Sequence, residues 1–197
     1  MPQAPPEDFD WSKLGFTTRS TAGMVVCTWR TGSWSAPEVQ ESRCLEVDAL
    51  ASGLQYGQSC FEGLKAFRSV TDAKIRIFRP DLNAKRLQRS CAACCMPAPS
   101  ADLFLRMLRQ AVQLNSKWVP PAACGGSLYI RPFVFGSGPE LGLLPPAEFK
   151  FVILVNPVGA FYPNGISQGV PALIKLGYDR AAPCGTVSII FFLWRLL

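Results

Sequence analysis

Tyr129 and Arg131 stand two residues apart in the run Ser127-Leu-Tyr-Ile-Arg-Pro-Phe-Val-Phe135, whose composition is that of a strand. A strand's period of two puts both on one face, opposite Leu128 and Ile130. A guanidinium and a phenol projecting together can bind a carboxylate, the first by a planar fork and the second by a single hydroxyl. The same alternation also suits an arginine on a solvated sheet face beside a half-buried tyrosine. Arg86 shares one side of a helix with Leu82 and Arg89, as a phosphate ligand or as a solvated helix charge. Cys91, Cys94 and Cys95, at i, i+3 and i+4, are expected to share a helix face. Three thiolates could begin a metal site, but no fourth ligand is evident, and small buried core residues fit the spacing as well. The run Gly136-Ser-Gly-Pro-Glu-Leu-Gly142 fits neither the dinucleotide fingerprint nor a Walker A loop and is read as a rigid turn.

The 197 residues contain no histidine. That excludes Ser-His-Asp and Cys-His catalysis, histidine-ligated zinc and every histidine acid–base mechanism. Chemistry must come from Lys, Tyr, Arg, Cys, a carboxylate or a cofactor. Twenty Lys+Arg against fourteen Asp+Glu give a net charge of +6, without a basic run that would point to nucleic acid. The start, Met1-Pro-Gln-Ala-Pro-Pro-Glu-Asp-Phe-Asp10, has no basic or apolar leader and is too acidic for a mitochondrial presequence. The eight cysteines are therefore expected to be reduced thiols in an intracellular, cytoplasmic protein. The longest apolar run, Ile189 to Trp194, is far short of the roughly 20 residues of a membrane span.

The elements that must position these side chains follow from local pattern. Met24 to Arg30 reads as a strand closed by a turn at Thr31-Gly-Ser33. Lys74 to Arg79 alternates, with Ile75 and Ile77 on one face. Pro80-Asp81 opens a helix running to about Cys95, with Asp81 as its N-cap. A second helix after Pro99-Ser100 carries Leu103, Phe104, Met107, Leu108, Ala111 and Val112 at helical period. Strands follow at 127–135 and 149–155, the latter apolar enough to be buried on both faces. Strands and helices thus share one α/β (α+β) unit up to about Pro157, followed by a Gly/Pro/Asn-rich stretch to Gly169.

These segments together resemble the branched-chain amino-acid aminotransferases, class IV pyridoxal-phosphate enzymes of fold type IV. The resemblance is carried by Leu54-Gln-Tyr-Gly-Gln-Ser-Cys-Phe-Glu-Gly-Leu-Lys-Ala-Phe-Arg68 and Phe78-Arg-Pro-Asp-Leu-Asn-Ala-Lys-Arg-Leu-Gln-Arg-Ser90. It continues through Trp118-Val-Pro120, Gly126 to Phe133, Pro157 to Tyr162 and Arg180 to Thr186, collinear over roughly residues 12 to 186. It implies that Arg86 grips the phosphate of pyridoxal 5′-phosphate and that Tyr56 and Phe61 line the substrate pocket. It implies that Tyr129 and Arg131 receive the distal carboxylate of glutamate or 2-oxoglutarate. Leu141, Gly142 and Leu143 match a loop that reaches the partner's active site in a homodimer. The implied reaction moves the amino group of Leu, Ile, Val or a related amino acid to 2-oxoglutarate. Metal, nucleic acid and membrane are not among the implied partners.

The resemblance divides the chain into a small N-terminal domain at 1–157, a linker at 158–169, the start of a cofactor domain at 170–186 and a non-family apolar tail at 187–197. Gln55 stands where the family has a histidine and Cys60 where it has an aliphatic residue, which would suit a secondary-metabolite or toxin pathway. The family's catalytic lysine follows its Gly-Thr pair. Here Gly185-Thr186 leads into Val187-Ser-Ile-Ile-Phe-Phe-Leu-Trp-Arg-Leu-Leu197, and Lys175 lies ahead of that block. The expectation is that this chain by itself has no catalytic residue and does not transaminate. In-frame Val-Ser is what the splice-donor sequences GTAAGT and GTGAGT encode, so a retained intron or a frameshift would account for the switch. The alternatives are a non-enzymatic subunit pairing with full-length homologues, or a nonfunctional remnant.

Overall fold

The computed structural model describes residues 4–142, 144–162 and 169–174. Among the described residues eight strands form one antiparallel sheet: β1 (Met24–Arg30), β2 (Ser33–Trp34), β3 (Glu38–Gln40), β4 (Ser59–Phe61), β5 (Leu64–Arg68), β6 (Ile75–Ile77), β7 (Ser127–Gly136) and β8 (Glu148–Val158). Three helices accompany them: α1 (Ser52–Gln55), α2 (Pro80–Ala93) and α3 (Ala101–Leu114). The strand order is β2-β1-β8-β7-β5-β6; β3 continues the outer edge of β1 and β4 that of β7.

The centre of the sheet is the β7–β8 pair, in register from Ser127↔Val158 to Gly136↔Phe149. β-Branched and aromatic residues dominate both strands, as a twice-covered pair requires. Side-chain alternation then sorts the residues by face. Leu128, Ile130 and Val134 of β7 join Phe149, Phe151, Ile153 and Val155 of β8 in the main core, with Val25 and Cys27 of β1. Against this face lie α2 and α3 through Leu87, Cys91, Leu103, Phe104, Met107, Leu108 and Ala111. The opposite face holds a smaller cluster of Met24, Val26, Phe135 and Val152, with Phe133 and Leu154 packed on it. The expected burial of β8 on both faces is what the structure shows.

Local signals place the helices. Ser100 caps α3, its hydroxyl accepting from the Leu103 amide at 3.1 Å. The expected N-cap of α2 is displaced. Arg79, at φ 44°, occupies the cap position, and Pro80 begins the helix, so Asp81 sits in the first turn. Proline's fixed φ and missing N–H suit the first helical position, and the Asp81 charge still complements the helix dipole. The helix ends at Ala93, not near Cys95, because Cys95 turns to φ 52°. Asn115, buried at the end of α3, accepts from the Ala22 amide at 2.9 Å and donates to the Gly23 carbonyl at 3.0 Å. It ties the helix layer to the entry of β1.

Phe104 is 1% exposed and stacks on Phe151 with ring centroids 6.0 Å apart. Truncating a fully buried phenylalanine leaves a cavity that the sheet cannot collapse into. Phe104→Ala is expected to lower the unfolding free energy by about 3–5 kcal/mol, measured by urea denaturation with an unchanged m-value.

Candidate functional site

The face of the sheet away from the helices carries the tyrosine–arginine pair. Leu128 and Ile130 are buried under the helices, so Tyr129 and Arg131 project to the other side, as the strand period requires. Arg131 donates from Nε at 3.1 Å and from Nη2 at 2.9 Å to the Tyr129 hydroxyl. Its guanidinium lies over the Phe61 ring, 4.2 Å from the centroid. The aromatic face attracts the cation, and the two N–H bonds fix it to the Tyr129 hydroxyl. Because the Tyr129 hydroxyl accepts both bonds, its own proton remains for another acceptor, alongside the N–H groups of Arg131 Nη1. A Cβ on Gly63 would lie 2.9 Å from the Tyr129 oxygen, so glycine there makes room for the hydroxyl.

Phe61 and Gly63 arrive here because the β4–β5 edge is interrupted. Leu64 pairs with Ile130 and Phe61 pairs with Phe133, so Glu62 and Gly63 stand opposite Arg131 and Pro132. Pro132 has no N–H for the ladder at that point, and only its carbonyl is used, by the Glu62 amide at 2.8 Å. The Glu62 side chain turns to the helix side, where it is 0% exposed. There it meets Arg86 of α2. Nε donates to Oε1 at 2.6 Å and Nη2 to Oε2 at 2.7 Å, while Asn83 donates to Oε2 at 2.7 Å. Hydrogen bonding to Glu62 raises the Arg86 pKa, so the guanidinium stays charged. Arg86 is therefore neither an unpaired helix charge nor fully covered, for its side chain keeps 37% exposure.

A second group lies at the far end of β7. Tyr56, just after α1, donates from its hydroxyl to the Leu141 carbonyl at 2.8 Å. The Glu140 amide donates to the Leu50 carbonyl at 3.1 Å, and Gly142 N–H to the Glu140 carboxylate at 2.8 Å. The expected rigid turn at 136–142 is thus part of the β7–β8 connection, held at its tip by α1. Its base is held by Glu148, whose Oε1 accepts from the Ser137 hydroxyl at 2.7 Å and whose Oε2 accepts from Arg30 Nε at 2.6 Å. Burial pushes the Glu148 carboxyl up, but Ser137, Arg30 and Lys150 outweigh it and leave its pKa below the ordinary 4.5. Leu143 lies outside the described residues, as do residues 175–197 with their expected domain start and tail.

The two groups are not together in one chain. Tyr129, Arg131 and Phe61 meet on one face of the Glu62–Gly63 break and Arg86 meets Glu62 on the other, whereas Tyr56 and Leu141 meet beyond Gly136. The seven steps from Tyr129 to Gly136 span about 24 Å at a strand's rise. The cysteine expectation is corrected. Cys91 is buried, Cys94 is the C-cap and Cys95 is exposed past the helix end, so the three do not share a helix face. Cys91 instead meets Cys60 of β4, with sulfurs 3.5 Å apart. The hydrogen bond with Cys91 and burial push the Cys60 thiol far up, and burial takes Cys94 up to about 11, which keeps both protonated. Among the described residues no cluster of His, Cys, Asp or Glu is placed to hold a metal, and no helix is long and apolar enough to cross a membrane.

Glu62 and Asn83 escaped the sequence reading, which took Glu62 only as part of a motif. A single carboxylate between Phe61 and Gly63, and the i, i+3 spacing of Asn83 and Arg86, were the available signals.

The sheet and its helix layer are shared with solved aminotransferase structures. The branched-chain amino acid aminotransferase of Escherichia coli superposes with a TM-score of 0.53 at 26% identity, over 68% of this chain and 40% of that one. The enzyme from Thermoproteus uzoniensis with norvaline shares the fold at the same TM-score of 0.53. The fold is thus that of the fold-type IV pyridoxal-phosphate aminotransferases. In sequence, the chain is 44% identical over 183 residues to a branched-chain-amino-acid aminotransferase of Helicobacter pylori, covering 93% of this chain and 54% of the relative. It is 41% identical over 191 residues to branched-chain amino acid aminotransferase gloG of Glarea lozoyensis, covering 96% and 53% respectively. No family model matches the chain. Over the matched residues the chain is similar to the branched-chain amino-acid aminotransferases, and it spans about half the length of the curated relatives it matches.

The lowered Glu148 pKa has a consequence for pH. Its contribution to stability is complete above the ordinary carboxylate value of 4.5 and is lost as pH falls through the lowered folded value. Glu148→Gln is therefore expected to lower stability near neutral pH and to flatten its decline below about pH 4.5. Chemical denaturation across an acid pH series checks both.

Proposed function

We propose that this chain supplies the small domain, residues 1–157, of a branched-chain aminotransferase, with Tyr129 and Arg131 as the site for the distal carboxylate of glutamate or 2-oxoglutarate. The observation that carries it is the Arg131 guanidinium seated over Phe61 and fixed by the Tyr129 hydroxyl. That leaves the Arg131 Nη1 N–H groups and one phenolic proton, side by side, for an acceptor. A planar carboxylate is such an acceptor, with one oxygen for each. The aromatic ring of Phe61 and the apolar sheet face favour the aliphatic side chain of Leu, Ile or Val in the other half-reaction.

Pyridoxal 5′-phosphate fits the described residues at one point. Arg86 keeps an outer N–H edge beyond the two bonds it gives Glu62, and that edge suits a phosphate oxygen. When bound, the cofactor supplies the electron sink that lets an amino group leave one carbon and join another. This chain's own residues bind and orient around it: Arg86 holds the phosphate, Phe61 walls the pocket, and Tyr129 with Arg131 fixes the co-substrate. The lysine that carries the cofactor is the remaining requirement, and none of the chain's lysines stands in the family context. A complete site needs the lysine-bearing segment of the family together with residues 1–157.

Tyr56, Leu141 and Gly142 act on a second copy. The rise of β7 to Gly136 is roughly 24 Å from Tyr129 and roughly 17 Å from Arg131, too far for one small substrate to bridge within a chain. Leu141 and Tyr56 are 67% and 55% exposed, an apolar tip suited to a partner's pocket. Pairing with a full-length homologue would use the same tip.

A chimera tests this function, with residues 1–174 of this chain replacing the matching half of the Helicobacter pylori relative. Leucine-dependent formation of glutamate from 2-oxoglutarate is expected. Arg131→Ala in that chimera should raise the 2-oxoglutarate KM about tenfold to a hundredfold, the value of one charge-assisted bond, with a smaller change in the KM for leucine. A folded, dimeric chimera without activity, or an Arg131→Ala KM unchanged for 2-oxoglutarate, contradicts the proposal.

A further inference from the structure

Glu62 is a carboxylate with no water contact, and its burial needs a reason. A buried charge is costly unless paired and fully hydrogen-bonded. Here both oxygens are used: Oε1 by Arg86 Nε, and Oε2 by Arg86 Nη2 and Asn83 Nδ2. Its backbone is fixed as well, by the hydrogen bond its amide donates to the Pro132 carbonyl at the break between β4 and β5. Asn83 lies one helical turn before Arg86 and also donates to the Gly63 carbonyl at 3.4 Å. The carboxylate is thus held from the strand side and from the helix side at once.

A carboxylate so placed determines the attitude of the guanidinium. Arginine has five N–H groups in one plane, and Glu62 takes the Nε–Nη2 edge. Nη1 takes no part in these bonds, and the side chain keeps 37% exposure. We infer that Glu62 is the positioning residue for Arg86: it fixes in advance the one N–H edge that Arg86 offers to an anionic phosphate ester. This rests on the assignment of Arg86 to the cofactor phosphate. Without Glu62 the long side chain would sample several rotamers, and each would have to be ordered on binding.

Glu62 also has an opposing effect, because its negative charge lies just behind the guanidinium and repels an incoming phosphate. Simple neutralisation of Arg86 and positioning of Arg86 therefore predict opposite outcomes when the charge is removed. Removing it raises phosphate affinity in the first case and lowers it in the second.

The experiment uses the full chain and two probes without an aldehyde, pyridoxine 5′-phosphate and pyridoxine, titrated by calorimetry. The ratio of their affinities isolates the phosphate contribution. The unmodified chain is expected to favour the phosphorylated probe by about tenfold, and Arg86→Ala to abolish that preference. Glu62→Gln and Glu62→Asp are each expected to cut the ratio by about fivefold, the first by losing charge and the second by losing reach. The Arg86 Nε–H resonance, protected and shifted in the parent, should collapse into the exchanging pool in both. If Glu62→Gln unfolds the chain, Glu62→Asp and Asn83→Ala carry the test, the latter with a smaller loss. A ratio that rises or stays constant in the folded Glu62 variants, while Arg86→Ala still abolishes it, overturns the positioning role and leaves the phosphate assignment standing. A parent ratio near one, or an Arg86→Ala ratio equal to the parent's, overturns the phosphate assignment and the positioning role with it.

Discussion

The structure depends on the ten-residue antiparallel register between β7 and β8. Every other relation is set by it. The alternation of β7 sends Leu128, Ile130 and Val134 under the helices and Tyr129, Arg131, Phe133 and Phe135 to the other face. A slip of one residue would exchange the two sets, placing a guanidinium in the core and aliphatic side chains at the site. The cost of that exchange is what makes the register unambiguous, since an unpaired buried charge is among the most destabilising changes a fold can suffer.

The site then arises where the regular ladder stops. Pro132 cannot donate to its neighbour, the β4–β5 edge breaks opposite it, and Glu62 and Gly63 occupy the break. The two residues face opposite ways. Gly63 clears space for the Tyr129 hydroxyl on one face, and Glu62 engages Arg86 and Asn83 on the other. One irregularity therefore couples a candidate carboxylate site to a candidate phosphate site. At the other end of β7 the loop that carries Leu141 and Gly142 is built by different means, with Glu148 at its base and Tyr56 at its tip.

Much of the fold was legible in the sequence because the long elements carry strong periods. β1, β7, β8 and α3 follow their patterns to within a few residues, and the common face of Tyr129 and Arg131 follows from strand geometry alone. The boundaries of α2 were less legible. Its start depends on Arg79 adopting a left-handed conformation, which no residue type announces, and its end on Cys95 doing the same. The shared face expected of Cys91, Cys94 and Cys95 failed for that reason. Strands β2 to β5 went unread in the sequence and take their places from long-range pairing, whereas β6 sits within the alternating stretch read at Lys74 to Arg79. Glu62 was hidden for a physical reason too: a charge in a strand edge reads as exposed unless its partner, 24 residues along the chain, is known to fold over it.

The most direct measurement is a crystal structure of the protein with 2-oxoglutarate bound. The account predicts the distal carboxylate on the sheet face away from the helices, one oxygen accepting from Tyr129 and the other from Arg131, with the guanidinium still stacked on Phe61. A 2-oxoglutarate molecule bound elsewhere, with Tyr129 and Arg131 still joined only to each other, would contradict it.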